Sequence, residues 1–203
     1  MLSAEGFNGW ADKYDVYVAE SDRADTYPFA GYSRVLDRVF ETVTRRPGAA
    51  VLDLGFGTAV LTSRLYESGC RVYGPDFSTR RVEIAKEKMP GAELCCGDFV
   101  KGLAEPLLGR KYDFIIATYA MHHLSDEEKI SLIKKLRGLL GSEGKIVIGD
   151  ISFETCGEME ACRADAGPEW DDDEIYIVAE EFKKVFPGAE FEKIGFCAGV
   201  TVI

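Results

Sequence analysis

The sequence predicts an α/β fold, with a mostly parallel sheet, helices on both faces and an antiparallel hairpin at its C-terminal end. Three observations predict it. Short β-branched or apolar runs alternate with helically spaced stretches through the middle of the chain, the pattern of repeated βαβ units. A glycine turn follows the first run directly and opens a helix. After Asp150 the alternation gives way to an acidic stretch and two final apolar runs.

In chain order, Phe7, Trp10, Tyr14 and Tyr17 fall on overlapping faces of a helix expected over 7–18, and a second helix is expected over 32–43. Together they make a helical cap spanning 1–48. Strands are expected at 50–54, 71–73, 93–95, 114–118 and 145–148, each bounded by Gly, Pro or Asp. Helices are expected between them at 60–67, 79–88 and 127–140, where apolar residues recur three and four apart. Ser125 followed by Glu128 is a capping-box pattern that marks the start of the third. Past Asp150 we expect an irregular acidic segment to Asp173, a helix over 177–186, and an antiparallel pair, 191–194 and 196–203, joined near Gly195. Residues 151–176, with Trp170, and the N-terminal aromatic helix are the expected walls of a substrate pocket, 151–176 serving as a lid.

Bulk properties bound the function. A chain of 203 residues, 46% hydrophobic and 29% charged, fits one globular domain over 1–203. The net charge of -11 and the lack of any Lys/Arg-rich run argue against nucleic acid or an anionic membrane as partner. No run approaches the roughly 20 apolar residues of a membrane span, and the first residues show no leader pattern, so a cytoplasmic protein is expected. The six cysteines are expected to be buried, reduced thiols, and without a close Cys-x-x-Cys pair no metal site is expected. Nothing in the sequence indicates the oligomeric state.

The chemistry-bearing residues stand at the ends of successive strands, where open α/β sheets bind ligands. The first strand ends in Asp53-Leu54-Gly55-Phe56-Gly57-Thr58-Ala59. The glycines permit close backbone approach to a ligand or simply make a turn. Val60 occupies the sixth position, where a dinucleotide fingerprint has glycine, and disfavours pyrophosphate. Asp53 either holds a cationic ligand, orders water near one, or satisfies turn amides. Asp76, about twenty residues on, either accepts from ribose hydroxyls or caps the next helix, a role Ser78 fills equally well. Gly97-Asp98-Phe99 is an ordinary turn or an adenine site. The fourth strand ends in Thr118-Tyr119-Ala120-Met121-His122-His123, holding both histidines of the chain. Each is a candidate general base or a packed side chain.

Taken in order, Asp53-x-Gly55-x-Gly57-Thr58, Gly74-x-Asp76-x-Ser78, Gly97-Asp98-Phe99, Tyr112-Asp113 and Tyr119-Ala120-Met121-His122-His123-Leu124, with the leading Phe7-Asn8-x-Trp10-Ala11-x-x-Tyr14-Asp15, closely resemble the class I S-adenosylmethionine-dependent methyltransferases. Within that class the chain is similar to small bacterial members, including those encoded beside sulfur amino acid salvage enzymes. The resemblance spans about 7–150 and is only architectural beyond.

It implies a Rossmann-like, seven-stranded sheet and S-adenosylmethionine as cofactor, with S-adenosylhomocysteine as product. Gly55 and Gly57 would lie under the methionine moiety, Asp76 would hold the ribose and Asp98 would read adenine. Asp53, Phe56, Thr58, Phe77, Arg81, Phe99, Thr118 and Tyr119 complete the implied cofactor site. Ala59 stands at the usual third glycine, a change expected to cost nothing, and Arg81 stands where an apolar residue often packs, so that it stacks on the base or points to solvent. Methyl transfer is an in-line displacement that needs a base only if the acceptor loses a proton. His122, His123, Tyr14 and Tyr119 are the candidates, and the acceptor is expected to be a small molecule. The competing readings are a cofactor-binding protein without turnover and a nucleotide-dependent oxidoreductase, the latter disfavoured by Val60 and by the lack of a Tyr-x-x-x-Lys pair.

Overall fold

The alternating apolar pattern folds as βαβ units because each strand must bury both faces beneath helices. The structure, a computed structural model, describes residues 11–203, with side chains from Val16 onward. Its elements are α1 (Ala11–Ala24), α2 (Tyr32–Thr44), β1 (Ala50–Asp53), α3 (Val60–Glu67), β2 (Arg71–Asp76), α4 (Thr79–Lys88), β3 (Glu93–Cys96), α5 (Glu105–Leu108), β4 (Tyr112–Thr118), α6 (Asp126–Arg137), β5 (Leu140–Phe153), α7 (Cys156–Ala166), β6 (Ile177–Val178), α8 (Ala179–Val185), β7 (Glu190–Lys193) and β8 (Ala198–Val202).

The sheet runs β3-β2-β1-β4-β5-β8-β7, with the two-residue β6 added beside the end of β5. Strands β1 to β5 are parallel, and β8 pairs antiparallel with both β5 and β7. The expected seven strands are therefore present, with an eighth that the sequence reading lacked. Alternate residues serve opposite faces. Val51 and Ile116 pack into one apolar cluster with Val35 and Val39 of α2, whereas Leu52 and Ile115 pack into the other with Ile133 of α6 and Phe182 of α8. On the first face α2 sits directly on Gly149 of β5, where an added Cβ would stand 2.6 Å from a Val35 methyl.

Several expected boundaries move. Helix α1 continues to Ala24 rather than ending at 18. Helix α6 begins at the expected capping box, with Ser125 and Glu128 bonded reciprocally, but stops at Arg137. Leu140, expected at its end, instead opens β5 opposite Tyr112. The segment expected to be irregular carries the end of β5 and then α7, capped by the Thr155 hydroxyl. The helix expected over 177–186 is α8 preceded by β6, because Ile177 and Val178 find an open edge beside Ser152 and Phe153. The terminal hairpin forms with a tighter β8: Ile194 and Gly195 both donate to the Ala198 carbonyl, turning the chain there. Of the six free cysteines only Cys70, Cys162 and Cys197 are buried, and Cys96 is exposed, which corrects the expectation of six buried thiols. No helix among the described residues is long and apolar enough to cross a membrane.

Candidate active site

Strand order reverses between β1 and β4, leaving a crevice at their C-terminal ends, the usual ligand position in such sheets. On one side lies the glycine turn. Gly55 and Gly57 have φ of +71° and +56°, which only glycine adopts without strain. A Cβ on Gly55 would meet the Phe99 ring at 3.2 Å and Ala120 at 3.4 Å, so the tips of β1, β3 and β4 converge there. Gly74 matters as much, since a Cβ there would stand 2.5 Å from the Asp53 carbonyl. The Gly74-x-Asp76 spacing signalled it, but the sequence reading gave it no role.

Asp76 is buried at the end of β2 and organises this side. Its Oδ2 accepts from the Gly57 N–H at 2.8 Å and its Oδ1 from the Ser78 N–H at 2.9 Å. Burial raises its pKa, while these N–H groups and the Arg81 charge oppose the rise. Helix capping falls to Ser78, which accepts from the Arg81 N–H. Arg81 is half-buried and close enough to act on Asp76, rather than turned to solvent.

Asp53 is also buried. The Thr62 hydroxyl donates to its Oδ2 at 2.7 Å, while its Oδ1 has no hydrogen-bond partner among the described residues. Burial pushes it up to about 7, the Thr62 bond opposing and the Asp76 charge adding to the rise. Asp98 sits in a local turn, its Oδ1 accepting from the Val100 N–H and its Oδ2 3.1 Å from Lys101. Around these acids Phe56 is buried, and Thr58, Phe77, Phe99 and Thr118 are half-buried. Ala59 adopts φ +61°, so the glycine-to-alanine departure carries backbone strain that the sequence reading did not anticipate.

Across the crevice the chemistry differs. Tyr119 holds φ +49°, and its buried hydroxyl lacks a hydrogen-bond partner among the described residues. Its ring lies 4.8 Å from Tyr32 and 5.6 Å from Phe29. Burial, reinforced by the Asp150 charge, holds this hydroxyl protonated well above its ordinary range, so it can donate but not serve as a base.

His122 is buried, with Nδ1 2.6 Å from Asp150 Oδ1 and Nε2 3.4 Å from Glu174 Oε1. Burial alone would lower its pKa, but Asp150 outweighs it and the net shift is upward. Asp150 also accepts from the Met121 and Ile151 N–H groups, and His122 with these bonds holds its pKa below the usual carboxylate range against desolvation. His122 is thus clamped rather than free to take a proton. His123 keeps an exposed edge, and desolvation followed by the His122 charge pushes it down to about 4.

Nothing close to His122 in sequence marks its partner, although Asp150, an acid near the end of the fifth strand, repeats the pattern of Asp53 and Asp76. Glu174 and the buried Lys129, whose ammonium donates to the Ile175 carbonyl, had no local signal. The Tyr14 side chain, and Phe7, Asn8 and Trp10 entirely, lie outside the described residues.

A cleft of about 380 Å³ opens beside the glycine turn, lined by Val18, Asp22 and Arg23 of α1, Tyr32 and Ser33 of α2, and Val60. Trp170, expected on the pocket wall, stacks on Tyr27 at 5.2 Å and borders a separate cleft of about 440 Å³ with Glu160, Arg163 and Asp172.

Residues 51–144 match the model of a methyltransferase-domain family. The chain is 36% identical over 197 residues to an uncharacterized methyltransferase of Anoxybacillus flavithermus, covering 96% of this chain and 90% of that protein. It is 40% identical over 149 residues to an uncharacterized methyltransferase of Oceanobacillus iheyensis, covering 73% and 67%. Among solved structures it resembles the DhpI–SAH complex, with TM-score 0.71 and 16% identity over 98% of this chain and 93% of that one. It also resembles the SAH-bound magnesium protoporphyrin IX methyltransferase of Synechocystis PCC 6803, with TM-score 0.66 and 20% identity over 86% and 83%. At these identities the structural likeness concerns the fold.

Proposed function

This chain belongs to the methyltransferase family, with S-adenosylmethionine as its cofactor, and we propose that it transfers the methyl group in line to a small-molecule acceptor. The residues at the strand tips fit that cofactor. The Asp76 oxygens each accept one backbone N–H and keep a further lone pair for ribose hydroxyls. Space is open where a Gly57 side chain would stand, and the unpartnered Asp53 oxygen favours a cationic neighbour. When bound, the cofactor supplies an electrophilic methyl group on a sulfonium.

The protein's own task is to hold the acceptor roughly 3 Å from that methyl on the reaction axis and to exclude water. The observation that carries the small-acceptor reading is the cleft of about 380 Å³ beside the glycine turn, within the range of small-ligand sites. The charge of -11 supports it by disfavouring polyanions. The unpartnered Tyr119 hydroxyl is a donor available to the acceptor, His122 is a positioning residue, and His123 and Tyr14 are the groups that can take an acceptor proton. The segment 151–176, expected as a lid, borders the separate cleft of about 440 Å³ through α7 and Trp170.

Calorimetry with S-adenosylmethionine and S-adenosylhomocysteine, followed by a methyl-transfer assay over a metabolite panel, tests the proposal. Binding of both without turnover of any acceptor would favour a cofactor-binding protein. Tight, salt-sensitive association with tRNA in fluorescence polarisation would overturn the small-acceptor assignment and leave the cofactor assignment standing.

A further inference from the structure

We propose that His122, His123 and Glu174 form a binding site for one divalent first-row transition-metal ion of the zinc class. The argument is independent of methyl transfer. One ligand atom from each of the three residues lies within 4.8 Å of the others, although Glu174 is far from the histidines in sequence. Of these atoms, His122 Nε2 and Glu174 Oε1 are separated by 3.4 Å. That is long for a hydrogen bond. It equals the spacing of two ligand atoms around one tetrahedral ion, roughly 3.3–3.6 Å for bonds of about 2.0–2.2 Å.

The surrounding bonds orient these atoms as a metal site requires. Metal-bound imidazoles generally engage a carboxylate through their other nitrogen, which settles the tautomer and aims the free one. Asp150 does this for His122 at 2.6 Å. The Tyr176 hydroxyl donates to Glu174 Oε2 at 2.8 Å and leaves Oε1 turned to His122. The Ile175 N–H donates to the His122 carbonyl at 2.8 Å, fastening the two ligand-bearing segments together. His123 follows His122 in the short 3₁₀ turn at Met121–His123, with ring centroids 4.1 Å apart.

Two imidazoles and one carboxylate suit zinc, cobalt, nickel or iron(II) rather than magnesium or calcium. Three protein ligands also leave a coordination position open. The competing account, a His122 imidazolium held between Asp150 and Glu174, gives His123 no role. That difference makes the two separable.

The test uses tag-free, full-length protein stripped with a chelator, titrated with Zn²⁺ by calorimetry and with Co²⁺ by visible absorption. The expected result is one ion per chain and a raised Tm with Zn²⁺ but not with equimolar Mg²⁺. His123→Ala and Glu174→Gln should each weaken binding at least tenfold. Both avoid uncovering the buried Asp150 charge, and circular dichroism confirms that they fold. Cys156→Ser, at the exposed cluster with Glu180 and Glu181, should leave binding unchanged. Lack of stoichiometric binding by the folded protein, equal stabilisation by Mg²⁺, binding indifferent to His123→Ala and Glu174→Gln, or binding lost with Cys156→Ser would each overturn the proposal.

Discussion

The two sides of the crevice place buried acids by opposite means. On the β1–β2 side Asp53 and Asp76 lie close to each other, take hydrogen bonds from a hydroxyl and from backbone N–H groups, and have raised pKa values. On the β4–β5 side Asp150 faces an imidazole and its pKa is lowered. On the first side the hydroxyl and N–H bonds offset the cost of burial only partly, whereas His122 together with the Met121 and Ile151 N–H bonds more than offsets it for Asp150. The first side is therefore suited to a ligand that brings positive charge, while on the second, in the metal-free protein, His122 supplies the charge that faces Asp150.

The largest expected effect is on the paired side. Asp150→Ala strips the counter-charge from a buried imidazole and should lower stability by about 3–5 kcal/mol in urea unfolding. The pH dependence has a definite sign. The raised His122 pKa contributes stability that is present below its ordinary 6.5 and lost as pH rises through the folded value. The lowered Asp150 pKa contributes stability that is present above its ordinary 3.8 and lost as pH falls through the folded value. Between those limits the pair should contribute most. An Asp150→Ala protein with the wild-type stability profile would break the comparison.

Next, Asp76→Ala should weaken S-adenosylhomocysteine binding by about 1–3 kcal/mol, since it leaves ribose hydroxyls unpaired. Unchanged affinity in calorimetry would remove Asp76 from the site. Asp53 should respond in the opposite sense to Asp150. With a folded pKa of about 7 against 3.8, its contribution is present at low pH and fades as pH rises through 7. Asp53→Asn should accordingly stabilise the ligand-free protein at pH 8, by about 1–2 kcal/mol, and flatten the pH profile between 4 and 7. A destabilised Asp53→Asn protein at pH 8 would show that Thr62 compensates the charge fully. The smallest effect is Ala59→Gly, which relieves the left-handed backbone and should raise stability by up to about 1 kcal/mol.

The same contrast separates what could be read in the sequence from what could not. Run length, glycine placement and the Ser125–Glu128 box are local signals, and they placed the parallel strands, the glycine turn and the start of α6. Boundaries slipped where a tertiary partner decided them: Leu140 joins β5 because Tyr112 lies opposite, and Ile177 becomes β6 because the edge beside Ser152 is open. The Tyr119 strain and the Ala59 strain were hidden, since nothing in either residue type announces a positive φ.

By itself the sequence determined the class of fold, the family, and the acids standing at the first three strand tips, because those depend on residues close together in the chain. Only the tertiary structure decided that His122 is clamped by Asp150, that Glu174 faces it and that Lys129 is buried beneath the same loop. These contacts join positions 28 or more residues apart for Asp150 and 46 apart for Lys129 and Ile175. The physical reason is that pairing compensates buried charge wherever the fold brings partners together, and no periodicity along the chain records which partners those are.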